Sequence, residues 1–250
     1  MATLTYGMAT AIGQGRKINH DAVFANDGIF MIVDGIGTDG QEIAQLVIQE
    51  ISTHLQAKSI INANGTINAL AEAYTKATAA IHQQGNEGGG ASATTVVIKG
   101  EMAYLGHVGN TRAYSVARQS FELLTIDHTM EEKSLEFGMN FGGDPYSPVL
   151  YRAVGVSDEA PDTLIHPITT GTGILLISDG IYRSGAHMIE FDGGEEVILP
   201  LDDEAMSKII REAESAQTAC DALINAANEH GGNDNLSAVF ISNEFVFNAQ

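Results

Sequence analysis

The chain has 250 residues, with 12 Lys and Arg against 32 Asp and Glu, a formal net charge of −20 at pH 7. That length suffices for a sizeable core, and 44% hydrophobic residues is an ordinary globular value, so a charged disordered tail is excluded. General binding to nucleic acid or to an anionic membrane surface is excluded too, since both need Lys and Arg against phosphate.

In chain order, β-like runs come first: Leu4 to Thr10, Ala22 to Ala25, and Ile29 to Val33. The last is continuously apolar, as expected of a strand covered on both faces. Ile43, Leu46, Val47, Ile51 and Leu55 then recur at helical spacing, as do Ile67, Leu70, Tyr74, Ala77 and Ile81. A glycine-rich stretch from Gly85 to Gly90 ends that helical pair. Closely spaced strands follow: Thr94 to Ile98, Met102 to Val108, Arg112 to Ala117 and Phe121 to Leu124. No helix separates them, which predicts antiparallel hairpins rather than βαβ crossovers. Beyond His128 to Pro148, a segment carrying Gly138, Gly142 and Gly143, another buried strand spans Ile174 to Ile177. Two amphipathic helices, near Glu204 to Glu214 and Thr218 to Glu229, precede a last strand from Leu236 to Ile241. The pattern predicts an α+β fold in which antiparallel sheet is combined with two helical pairs.

The five prolines are scattered and no repeat or linker divides the chain, so residues 1–250 read as a single domain. The lone Cys220 sits in a helical pattern with Leu223, Ile224 and Ala227, as a small buried residue, and excludes an internal disulfide. Met1 to Gly15 has no basic region or long apolar stretch, so no signal peptide is expected. Apolar runs such as Ile29 to Val33 fall far below the ~20 residues that span a bilayer. A soluble, cytoplasmic protein is the expectation.

Three acids stand at the ends of the most apolar runs. Asp34 follows Met31-Ile32-Val33, Asp179 follows Leu175-Leu176-Ile177-Ser178, and Asp234 directly precedes the run beginning Asn235-Leu236. A carboxylate at the rim of a buried strand is a preorganised oxygen ligand for a hard divalent cation such as Mg²⁺ or Mn²⁺. Asp-Gly is also a common turn dipeptide, so any one of these acids could simply close a hairpin. Three together favour a shared site. Arg16, shortly before Asp21, is either a surface ion-pair partner of little energetic weight or a bidentate clamp for phosphate.

Seven short motifs occur in order: Arg16-x-x-Asn19-x-Asp21, Val33-Asp34-Gly35-Ile36-Gly37, Ala93-Thr94-Thr95, His107 to Tyr114, Leu124-Thr125-x-Asp127-His128-Thr129, Ser178-Asp179-Gly180, and Gly231-Gly232-x-Asp234-Asn235-Leu236-Ser237. The series resembles the metal-dependent serine/threonine protein phosphatases of the 2C class in their compact bacterial form, from about Thr5 to Ile241. The resemblance implies two packed antiparallel β-sheets flanked by helical pairs, an α/β/β/α sandwich. It implies two Mn²⁺ or Mg²⁺ ions, with Asp34 bridging them, Asp179 and Asp234 completing the first ion's protein ligands, and the Gly35 carbonyl facing the second. Asp21 would orient the attacking water and Arg16 would bind the substrate phosphate. Phosphorylated proteins would be the substrates, a Ser/Thr kinase the cognate partner, and the protein a monomer.

The chain also departs from that family. His20 replaces the usual Glu before Asp21; it is either a second-cation ligand favouring Mn²⁺ or a solvent-exposed strand-end residue. Asn110 and Arg183 replace acids that usually help hold a third ion, so a third site is expected to be weak or absent. No histidine follows Asp34-Gly35, where Ile36 stands. An active phosphatase and a catalytically weakened regulatory or binding module both follow from these features. A calcium-binding structural module fits poorly, because no EF-hand spacing occurs. The segment from His128 to Pro148 is either a flap beside the site or a surface loop, and Gly185 to Pro200 matches no functional pattern.

Overall fold

The apolar runs become the central strands of two sheets. The computed structural model describes residues 4–58, 62–85, 88–136, 138, 148–183, 187–191, 194–198 and 200–247. Its first half runs β1 (Leu4–Ala11), β2 (Asp21–Asn26), β3 (Ile29–Ile36), α1 (Gly40–Ala57), α2 (Ala63–Gln83), β4 (Gly90–Lys99), β5 (Met102–Val108), β6 (Arg112–Val116) and β7 (Phe121–Leu123). The second half runs α3 (Met130–Glu136), β8 (Asp162–Pro167), β9 (Thr172–Ile177), α4 (Asp179–Arg183), β10 (His187–Phe191), β11 (Gly194–Ile198), α5 (Asp203–Glu212), α6 (Ala216–Glu229) and β12 (Leu236–Asn243).

One sheet has the order β2-β3-β4-β5-β8, the other β1-β12-β9-β6-β7, with antiparallel neighbours throughout. Strand alternation sorts each apolar run into two layers. Met31 and Val33 of β3 pack with Ile43, Val47 and Ile51 of α1 and with Leu70, Tyr74 and Ile81 of α2. Phe30 and Ile32 point the other way, into a layer shared with Ile174 and Leu176 of β9 and Val239 and Ile241 of β12. Leu175, Ile177, Ala238 and Phe240 turn outward from the second sheet onto Met206 and Ile210 of α5 and Cys220 and Leu223 of α6. The layers are therefore α, β, β, α, as expected, and Cys220 is buried where its helical pattern placed it. No helix among the described residues is long and apolar enough to cross a membrane.

Several features were not legible in the sequence or decide between its readings. The β4–β5 and β6–β7 links are hairpins, the first turning at Gly100 (φ 61°), but β5 and β6 lie in different sheets. The chain crosses between sheets at Gly109-Asn110-Thr111, too short a link to be seen as a layer change in sequence. Neither Asp34-Gly35 nor Asp179-Gly180 closes a hairpin: the first lies within β3, and the second opens α4. Edge strand β8 was not anticipated, because its exposed Leu164 and Ile165 break the apolar–polar alternation. The small β10–β11 hairpin falls in the stretch that matched no pattern. Of the segment from His128 to Pro148, residues 130–136 form α3, while 137 and 139–147 lie outside the described residues.

Candidate active site

Pairing register brings the acids together. Asp21 opens β2 directly opposite Asp34 near the end of β3. In the other sheet β9 ends where antiparallel β12 begins, which sets Asp179 beside the Asp234-Asn235 turn. This approach is tight: a side chain on Gly180 would place its Cβ 2.0 Å from the Asn235 carbonyl oxygen. The two rims face each other across a cleft of about 380 Å³. Arg16, His20, Asp34, Gly35, Asn110, Asp179 and Asp234 line its polar side, and Ile36, Pro148, Leu150, Ala153 and Val156 its apolar side. The apolar wall is fastened by two hydrogen bonds exchanged between Ala91 and Val154, both 2.9 Å.

Most of the predicted site residues have an identifiable support. Asp21 is buried behind the cleft wall and accepts a 2.7 Å hydrogen bond from Ser178 Oγ. Asp179 accepts from Asn110 Nδ2 at 2.8 Å, and Arg183 Nε stands 3.9 Å from the same carboxylate oxygen. Asp234 is paired with Arg16 at 2.7 Å. Asn235 ties the Arg16 loop to the rim by donating to the carbonyls of Ile12 (2.8 Å) and Ile18 (2.9 Å) and accepting from the His20 amide (2.8 Å). The Gly35 amide donates to the His20 carbonyl at 3.1 Å, which extends the β2–β3 pairing by one step.

The carboxylates strain against one another. Burial, reinforced by the charges of Asp179 and Asp234, pushes Asp21 up to about 7 despite the Ser178 hydrogen bond. Burial and Asp234 push Asp179 up to about 6, with Arg183 and Asn110 pulling the other way. Asp34 lies well above the ordinary carboxylate range, through burial and the charges of Asp21, Asp179 and Asp234. A cluster of like charges with so little local cation is the electrostatic complement of a bound divalent ion.

The donor set suits such an ion. Carboxylate and carbonyl oxygens are the preferred ligands of Mg²⁺ and Mn²⁺. The missing side chain of Gly40 also leaves a niche bordered by two further donors: a Cβ there would stand 2.6 Å from the Gly35 carbonyl oxygen and 2.7 Å from His20 Nδ1. Among the described residues no three His, Cys, Asp or Glu side chains already converge in ligand geometry. Asp234 is instead turned onto Arg16.

Sequence reasoning missed the residues that hold these ligands. Ser178 and Asn235 stand inside the quoted motifs, but nothing in a sequence says which backbone groups a side chain will reach. Tyr182 and Asp127, more distant still, support Asn110: the Tyr182 hydroxyl lies 2.8 Å from the Asn110 carbonyl and 3.1 Å from Asp127 Oδ2.

A family model, Protein phosphatase 2C, matches residues 7–134, just over half of the chain. The chain belongs to the protein phosphatase 2C family. It is 25% identical over 251 residues to the protein phosphatase PhpP of Streptococcus pneumoniae, covering 94% of this chain and 96% of PhpP. Its fold is that of the serine/threonine phosphatase of S. agalactiae (TM-score 0.83, 19% identity, 96% of this chain and 99% of that one). It is also that of the catalytic domain of the serine/threonine protein phosphatase PstP, a structure in complex with two manganese ions (TM-score 0.77, 22% identity, 96% and 97% covered).

Proposed function

We propose that this 2C-family chain, as one phosphatase domain, hydrolyses phosphoserine and phosphothreonine in proteins at a pair of Mn²⁺ or Mg²⁺ ions. The observation that carries the reading is the meeting of Asp21, Asp34, Asp179 and Asp234, from four separate stretches of chain, around one cleft, where burial and mutual repulsion raise the first three above the ordinary carboxylate range. Family membership and the two manganese ions of the PstP structure support it.

Asp34, Asp179, Asp234 and the Gly35 carbonyl are the proposed ligands. His20 joins them through Nδ1, which borders the same niche as the Gly35 carbonyl and would favour Mn²⁺. Bound cations supply Lewis acidity, which activates water near neutral pH and offsets charge on the phosphoryl oxygens. Asp21, behind Asp34 and fixed by Ser178, orients the attacking water and receives its proton. Arg16 is half exposed, borders both Asp234 and the cleft, and binds the substrate phosphate by parallel N–H donors. In-line transfer of the phosphoryl group to water breaks the bond to the serine or threonine oxygen, which leaves as the hydroxyl after taking a proton from solvent in the cleft, and needs no covalent enzyme intermediate. A third cation is not part of the proposal: Asn110 is neutral, and the Arg183 guanidinium already stands beside Asp179.

The substrates imply a Ser/Thr kinase that makes them, and the lone buried Cys220 suits a reducing, cytoplasmic setting. The test is turnover of a phosphothreonine peptide with Mn²⁺. Turnover that disappears in Asp34→Asn supports the reading; no Asp34-dependent turnover with any divalent ion overturns it in favour of a binding module.

A further inference from the structure

The turn that crosses between the sheets is held from every side. His128 accepts the Gly109 amide at Nδ1 (2.9 Å) and donates its own amide to the Gly109 carbonyl (2.7 Å). Ser92 Oγ accepts the amides of Asn110 (2.8 Å) and Thr111 (2.7 Å). Tyr182 donates its hydroxyl to the Asn110 carbonyl, and its ring lies under the Arg112 guanidinium, 3.6 Å from the centroid. Arg112 in turn grips both oxygens of Asp127, from Nε at 3.0 Å and from a terminal nitrogen at 2.9 Å.

What this framework presents to the cleft is one amide. Asn110 is only 3% exposed; its Nδ2 donates to Asp179, while its Oδ1 has no hydrogen-bond partner. A buried acceptor without a partner is unfavourable, so the donor side must hold the side chain in place. The reverse orientation would set Oδ1 against a carboxylate oxygen. An acid at this position would put a second negative charge in the same place.

We propose that Asn110 is a positioning residue, with Tyr182 behind it, that fixes the Asp179 carboxylate in the orientation needed to bind a divalent cation. A carboxylate's terminal torsion is broad, and one charge-assisted hydrogen bond in a buried setting narrows it. The inference rests on the metal-dependent reading above.

The test is calorimetric titration with Mn²⁺ of the wild-type chain, Asn110→Ala and Tyr182→Phe, with p-nitrophenyl phosphate kinetics and melting in chelator alongside. Support for a ligand from outside the coordination sphere is typically worth about 10- to 100-fold in metal affinity. Asn110→Ala should show a loss of that order and a lower kcat, with KM unchanged. Tyr182→Phe, which keeps the ring and removes only the hydroxyl, should lose affinity in the same direction by a smaller factor. If Asn110→Ala does not fold, Tyr182→Phe decides alone. Variants that melt lower but bind Mn²⁺ as the wild type does would overturn the inference and leave the phosphatase reading intact. A wild-type chain that binds no Mn²⁺ would overturn both.

Discussion

Stripped of divalent cations by a chelator, the protein should lose stability as the pH rises from 7 to 9. Asp34 keeps its proton in the fold well above the ordinary range, through burial and three neighbouring carboxylates, whereas the unfolded chain has already released it. The folded state therefore binds more protons than the unfolded state, and its stability falls with rising pH until Asp34 ionises. A group that keeps its proton in the fold after the unfolded chain has released it costs about 1.4 kcal/mol per pH unit. Asp21, half-titrated near its value of about 7, adds little beyond that point. His107, pushed down to about 4 by burial, and His128, also lowered by burial, act in the opposite direction. Those groups raise stability with pH, but mostly below pH 7, where the unfolded histidines still hold protons. For a chain of this size 1 kcal/mol moves Tm by roughly 2–4 °C, so a decline of about 3–6 °C is expected in chelator for each pH unit over which Asp34 keeps its proton. Mn²⁺ should remove the slope, because coordinated carboxylates are ionised throughout. A chelated protein whose Tm is flat or rises from pH 7 to 9 would refute the reasoning, as would Asp34→Asn declining as steeply as the wild type.

Asp179→Asn and Asp234→Asn should each abolish phosphopeptide turnover while leaving far-UV circular dichroism unchanged; appreciable activity in either would remove that residue from the site. Arg16→Ala deletes a charged phosphate donor and should lower kcat/KM for p-nitrophenyl phosphate by about 10- to 100-fold, mainly through KM. Unchanged kcat and KM would leave Arg16 only its ion pair with Asp234. Gly35→Ala would drive a Cβ to 1.9 Å from the Gly40 carbonyl oxygen. It should displace the β3–α1 turn, lower Tm and weaken Mn²⁺ binding together, and wild-type calorimetry would contradict this account of the turn.

How much of this was legible in sequence depended on whether a residue's role is local. The runs at β3, β9 and β12 could be read because both faces of each strand are buried, by a helical layer on one side and the other sheet on the opposite side. The rim acids followed from those runs. Strand β8 could not be read, since an edge strand need not alternate, and the five-residue α4 is too short to carry a helical period. The crossing at Gly109-Asn110-Thr111 was hidden for a different reason: a three-residue link looks the same in sequence whether it turns within a sheet or between two. Contacts such as Ser178 with Asp21, or Asn235 with Ile12 and Ile18, span from 157 to 223 positions and exist only once both sheets have formed. The charge of −20 also acquires a more limited meaning: four acids at one cleft carry the proposed chemistry, and phosphate is disfavoured there only until cations are bound.

The most direct measurement is anomalous diffraction at the manganese edge from crystals of this protein soaked in Mn²⁺. Two peaks are expected in the cleft, one among Asp34, Asp179 and Asp234, with Asp234 released from Arg16, and one against Asp34 and the Gly35 carbonyl. A cleft without a peak, with Arg16 still on Asp234 at saturating Mn²⁺, would contradict the metal-dependent reading.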